Sequence, residues 1–143
     1  MLFGSRVLCA FGFAFCLPAI AGEPNWQVME WTAPLTVSVD ADSIMARNAR
    51  MTARVLWDYA QPQSTRDPQA QPFKSMIGLL VFDCITLGFG GAGGESYTGE
   101  GGTGRVVSQF SISPDEVPLS QPAPGSLAHD LVAFVCAKAT GSS

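Results

Sequence analysis

Histidine is nearly missing from this chain. His129 is the one imidazole among 143 residues. It pairs with no particular serine or cysteine, and no G-x-S-x-G elbow is present to hold a nucleophile. Basic charge is also scarce, with eight Lys and Arg against twelve Asp and Glu. Binding to phosphate backbones needs a basic footprint, so this balance argues against nucleic acid and against simple adsorption to anionic lipid. Long hydrophobic runs are missing too. The apolar stretch from Val7 to Leu17 is too short to cross a bilayer, and no later run reaches spanning length.

That stretch reads instead as the core of a secretory leader. Arg6 supplies the positive start and Pro18 breaks the helix. Ala19-Ile20-Ala21 then forms an A-x-A site, with cleavage expected before Gly22. Residues 1–21 are therefore expected to be a signal peptide and residues 22–143 a single domain. Phe13-Ala14-Phe15 before Cys16 and Arg6-Val7-Leu8 before Cys9 do not form a lipoprotein signal, so a free N-terminus is expected. The part after Ala21 carries seven basic and twelve acidic residues, a net charge of −5. The expected location is the periplasm, the cell surface or the medium.

Removing the leader also removes Cys9 and Cys16, which leaves Cys84 and Cys136. An even pair in an exported protein points to one disulfide in an oxidising compartment. The rival is a zinc site built from Cys84, Cys136 and His129, but it lacks a fourth ligand and a C-x-x-C pair. No cofactor, metal site or catalytic residue is expected.

The remaining chain reads as strands first and a helix last. Trp26 to Trp31 and Leu35 to Val39 are short strand candidates, followed by the turn-rich Asp40-Ala41-Asp42-Ser43. Met51 to Tyr59 alternates clearly, with Met51, Ala53, Val55, Trp57 and Tyr59 on one face. Ala60 to Pro72 holds three prolines and is expected as a polar loop. Phe73 to Leu87 is a β-rich run, with Cys84 on the face of Leu80 and Phe82. Gly88 to Gly104 has nine glycines in seventeen residues and is expected as a mobile hairpin connection. Arg105 to Ser113 alternates again, with Val106, Phe110 and Ile112 expected to point inward. After a linker holding Pro114, Pro118, Pro122 and Pro124, Ser126 stands as a helix N-cap. Leu127, Leu131, Phe134 and Val135 then give a helical stripe, and Lys138 suits the C-terminal pole. The fold class is α+β: an antiparallel sheet with one C-terminal helix.

Two segments, Gly88–Gly93 and Gly99–Gly104, match G-x-G-x-x-G literally. Neither opens a helix, which a phosphate site requires. Asp40-Ala41-Asp42-Ser43 begins like a calcium loop, but Met45 stands where the loop needs glycine. Trp26, Trp31 and Trp57 could form a ligand platform, although an aromatic on an alternating strand such as Trp57 suits a core.

The order of several pieces resembles the surface-adhesin protein E domain family of Gram-negative bacteria. They are Trp26, Val39-Asp40 with Ser43-Ile44, and Leu56-Trp57-Asp58-Tyr59. Next come Pro72-Phe73-Lys74-Ser75, Phe82-Asp83-Cys84, Tyr97 and Gly104 with Val106-Val107. Pro124-Gly125-Ser126 then leads to Phe134-Val135-Cys136. The resemblance implies an antiparallel meander covered by a C-terminal helix that a disulfide ties down. It also implies a non-enzymatic adhesin that binds host matrix or serum proteins: laminin, vitronectin and plasminogen. Two other readings stay open on the residues alone. One is an envelope structural or assembly-accessory protein with no host ligand; the other is a small hydrolase.

Overall fold

The computed structural model describes residues 22–141. The expected leader, with Cys9 and Cys16, lies outside the described residues. Seven strands and one helix follow in order: β1 (Trp26–Thr32), β2 (Leu35–Asp40), β3 (Met45–Arg47), β4 (Arg50–Gln63), β5 (Phe73–Asp83), β6 (Gly88–Tyr97), β7 (Val106–Ser111) and α1 (Leu127–Ala139). The strands form one antiparallel sheet in the order β1-β2-β4-β5-β6-β7, with β3 pairing to β4 beyond the end of β2. This is the expected α+β meander with its C-terminal helix.

The period-two pattern of β4 places Met51, Ala53, Val55 and Trp57 on one face, here called the front. Ala53 and Val55 are completely buried there, with Val37 and Val39 of β2 and Phe82 of β5. Helix α1 closes this core with Leu131, Val132 and Val135. Burying a side chain of this size contributes about 1.5–3 kcal/mol each. The helix begins where Ser126 Oγ accepts the His129 amide at 3.2 Å, and Asp130 and Lys138 sit at the poles that suit their charge. The Cys84–Cys136 disulfide joins the end of β5 to the last turns of α1, with Cα atoms 5.6 Å apart.

Four sequence expectations change. The glycine-rich stretch is not a mobile connection: Gly88–Tyr97 is the ten-residue strand β6, paired on both sides. Glycine is usually poor in strands, but here two neighbours lie too close for side chains. The loop proper covers only residues 98–105. Second, β4 continues through Pro62 to Gln63, so the proline-containing loop is confined to residues 64–72. Third, Val106, Phe110 and Ile112 are 46%, 58% and 47% exposed rather than inward. Phe110 alternates with Gln109 and Ser111 as expected, but a register shift sets Val106 opposite Tyr97, on the other face from Phe110; β7 is also the last strand of the sheet, and α1 packs over β1, β4, β5 and β6. Fourth, Cys84 itself lies one residue past β5, in the turn that leads to β6.

Candidate functional site

Among the described residues, no α-helix packs on the opposite face of the sheet, the back. Its residues line up across the strands by register. Trp26 pairs with Asp40, whose carboxylate lies 3.5 Å from Arg54 Nη1. Arg54 pairs with Leu79, Leu79 with Gly93, and Gly93 with Ser111. The next row runs Leu56, Ile77, Glu95, Gln109. Together these rows floor an open groove of about 740 Å³, lined by Arg54, Ile77, Leu79, Glu95, Tyr97 and Gln109 among others.

Two wall-like segments pack on the back face beside the groove, one against Ile77 and one against Ala92. One is the loop after β6, which folds back over the sheet. Ser75 is completely buried beneath it; its Oγ donates to the Gly99 carbonyl at 2.5 Å and accepts the Gly102 amide at 2.8 Å. Asp58 accepts the Gly101 amide at 3.0 Å, and Lys74 Nζ meets Glu100 at 2.6 Å. Lys74 holds the Glu100 carboxyl below its ordinary pKa. The other wall is the proline-containing return from β7 to α1. Val117 is buried there against Val81 and Ala92 on the back face. Arg50 Nη1 donates to the Pro114 and Val117 carbonyls, both at 2.9 Å, and Asn48 donates to Asp115 at 2.9 Å. Ser120 then bridges to Phe89 at the edge of β6, where β7 has already left. From there the chain passes to the helix on the front.

The groove has mixed chemistry. Ile77 and Leu79 are half-buried and apolar. Arg54 is held by Asp40 and by the ring of Trp26, 5.7 Å from its guanidinium carbon. The Tyr97 hydroxyl donates to Glu95 at 2.5 Å, and this bond raises the tyrosine pKa above its ordinary value. Such a surface offers an apolar floor, a cation and hydrogen-bonding groups over an open span, which suits a protein segment better than an enclosed small molecule.

The sequence candidates are placed as follows. The sulfurs of Cys84 and Cys136 are bonded to each other, so neither is a thiolate ligand in the rival zinc arrangement. His129 lies exposed in the first turn of α1, its Nδ1 3.9 Å from Asp130. Asp40 caps a short 3-10 turn by accepting the Asp42 and Asn25 amides. The first G-x-G-x-x-G lies inside β6, and the second lies in the loop over Ser75. Trp57 packs against the front core, whereas Trp26 stacks on Arg54. The groove residues Arg54, Leu79 and Glu95 were not read from the sequence as binding residues, and Tyr97 entered only as a piece of the family resemblance. The available signal was the glycine density between 88 and 94, which marks close approach of another chain segment.

Residues 26–137 match the pattern of the surface-adhesin protein E family. The fold is similar to the crystal structure of protein E from non-typeable Haemophilus influenzae, with a TM-score of 0.59 and 10% identity, covering 89% of this chain and 85% of that one. A second crystal form of Haemophilus influenzae protein E gives a TM-score of 0.56 and 11% identity, covering 84% and 98%. At these identities the likeness is one of fold. No curated protein matches the chain closely in sequence. With most of its length matched, the chain belongs to the surface-adhesin protein E family.

Proposed function

We propose that this member of the surface-adhesin protein E family is an exported, non-enzymatic binding module whose back-face groove takes an extended segment of a host matrix or serum protein. Family membership supports an adhesin-like surface protein. The observation that carries the finer reading is the groove itself: one sheet face is covered by α1, while among the described residues no helix packs on the other, which carries the groove. Ile77 and Leu79 supply apolar contact there, and Arg54 and Glu95 set polarity along the ligand. Laminin, vitronectin and plasminogen are the partners that the family resemblance suggests.

The test is binding of the chain from Gly22 onward to immobilised laminin, vitronectin and plasminogen, beside Glu95→Lys and Arg54→Gln variants. Saturable binding to at least one ligand is expected, weakened in the variants while their circular dichroism stays unchanged. Protease treatment of whole cells gives the second arm, since an adhesin must be cleaved from outside. Absence of binding together with protection on intact cells would leave the envelope structural protein as the reading.

A further inference from the structure

The back face already holds one peptide segment, and that segment is the chain's own. Residues 113–120 leave β7 and run over the sheet beside the groove as a strap. Ser113 and Val117 each precede a proline, which disfavours helical backbone. Their φ, ψ values of −62°, 130° and −68°, 124° lie close to polyproline II, on either side of one 3-10 turn. Val117 and Leu119 settle where Gly90 and Gly88 have no side chains. A β-carbon on Gly90 would stand 2.5 Å from Val117 Cγ1, and one on Gly88 would stand 3.1 Å from Leu119 Cβ. Arg50 Nη1 holds the strap from the side, donating to the Pro114 and Val117 carbonyls.

The groove repeats this arrangement one row further along the sheet. Arg54 follows Arg50 by four residues, an even step that leaves both on the back of β4. The row Thr52, Val81, Gly90 runs under the strap, and the row Arg54, Leu79, Gly93 floors the groove. Ala92 and Leu79 serve both, since they belong to the apolar cluster around Val117 and also line the groove. The Arg54 side chain is 43% exposed, and Asp40 meets it at Nη1. A guanidinium has five N–H donors, so several remain for a ligand carbonyl. Tyr97 in the groove and Trp26 beyond Arg54 add aromatic faces of the kind proline rings pack on.

Backbone chemistry then selects the ligand. Strands β4, β5 and β6 are paired along both sides, so a segment lying on their face finds no ladder to join. An ordinary peptide there would cover amides that need acceptors. The one carboxylate among the lining side chains, Glu95, already accepts the Tyr97 hydroxyl. Proline has no amide to satisfy, and polyproline II makes no internal hydrogen bonds, so its carbonyls stay free for Arg54. We infer that the groove takes a proline-containing segment in the polyproline II conformation, with aliphatic residues between the prolines as in Val117-Pro118-Leu119. This rests on the reading of the groove as the ligand site and adds the ligand's backbone class.

Fluorescence anisotropy of a labelled peptide of repeated Val-Pro-Leu-Pro, titrated with the chain from Gly22 onward, tests it. A control of repeated Val-Ala-Leu-Ala keeps the aliphatic side chains but regains the amides and the chain freedom. Both carry a Ser-Gly-Ser tail for solubility. The proline peptide should bind roughly tenfold more tightly than the control. Arg54→Gln should weaken it by roughly tenfold, as expected for a lost hydrogen bond from a charged donor. Amide NMR of the unsubstituted chain gives a second readout: Gly93, Glu95 and Ser111 should shift with the proline peptide, and α1 should not. Equal binding of both peptides in the groove would overturn the proline inference and leave the groove as the ligand site. Shifts confined to residues 113–120 or to α1 would overturn it too. So would a chain that binds neither peptide while Arg54→Gln still weakens its hold on immobilised laminin, vitronectin or plasminogen. Neither peptide bound, with host-protein binding untouched by Arg54→Gln and Glu95→Lys, would overturn the groove reading as well.

Discussion

Gly90 lies beneath Val117 so closely that a β-carbon on it would stand 2.5 Å from Val117 Cγ1 and 2.6 Å from Pro118 O. The return segment can cross the back of the sheet only because this strand position has no side chain. Gly90→Ala is therefore expected to destabilise the protein by about 1–3 kcal/mol through overpacking. Gly91→Ala is the control, since the nearest atom to its β-carbon is Leu80 Cδ2 at 3.9 Å. Urea denaturation should show a lowered midpoint for the first variant and little change for the second.

The Cys84–Cys136 bond spans 52 positions of sequence. Without it, α1 would be held to the sheet by packing alone, and the chain between β5 and α1 would lose its covalent closure. Replacing both cysteines with alanine should lower stability by roughly 2–5 kcal/mol. Ligand binding should return at low temperature, where the fold survives, because neither sulfur lines the groove. Full thiol labelling of the wild-type protein under denaturing, non-reducing conditions would contradict the bond.

Ser75 is the buried brace of the loop wall, with one hydrogen bond given and one received. Ser75→Ala leaves the Gly102 amide without its partner. A loss of about 1–3 kcal/mol is expected. Hydrogen exchange at Gly102 should accelerate well before exchange in β5, because the loop opens locally while the sheet persists.

Asp83 accepts the Ile85 and Thr86 amides at 2.8 and 3.1 Å, and those bonds, with Thr86 the larger contributor, hold its carboxyl below the ordinary range. A carboxyl with a depressed folded-state pKa adds stability above its unfolded value, and that stability fades as pH falls through the folded value. The turn carrying Ile85, which is 90% exposed, should loosen only in acid below the usual aspartate range. An NMR titration of the Ile85 and Thr86 amides should show this transition, and Asp83→Asn should remove it. A transition at the unperturbed aspartate pKa would contradict the assignment.

Much of the fold was legible because its signals are local. Alternation in β4 reports one buried face, and Ser126 followed by Leu127, Leu131 and Val135 reports a capped amphipathic helix. Two cysteines remaining after the expected leader point to one pair. The ordered pieces from Trp26 to Cys136 carried the family resemblance, which the match over residues 26–137 now establishes.

What tertiary structure alone decided concerns neighbours distant in sequence. Composition made residues 88–104 look like a mobile loop, because glycine lowers strand propensity when nothing compensates. Here Val117 and the backbone of β7 occupy the space that side chains would need, so glycine is what lets Gly88–Tyr97 lie in the sheet. Alternation alone could not tell whether Phe110 meets a core or open solvent, since that depends on how far α1 extends across the sheet. Arg54 and Glu95 share a groove only through the register of β4, β5 and β6. The sequence by itself determined which residues could be buried and where the helix begins. The pairing of strands determined which face stayed open, and with it the surface available for binding.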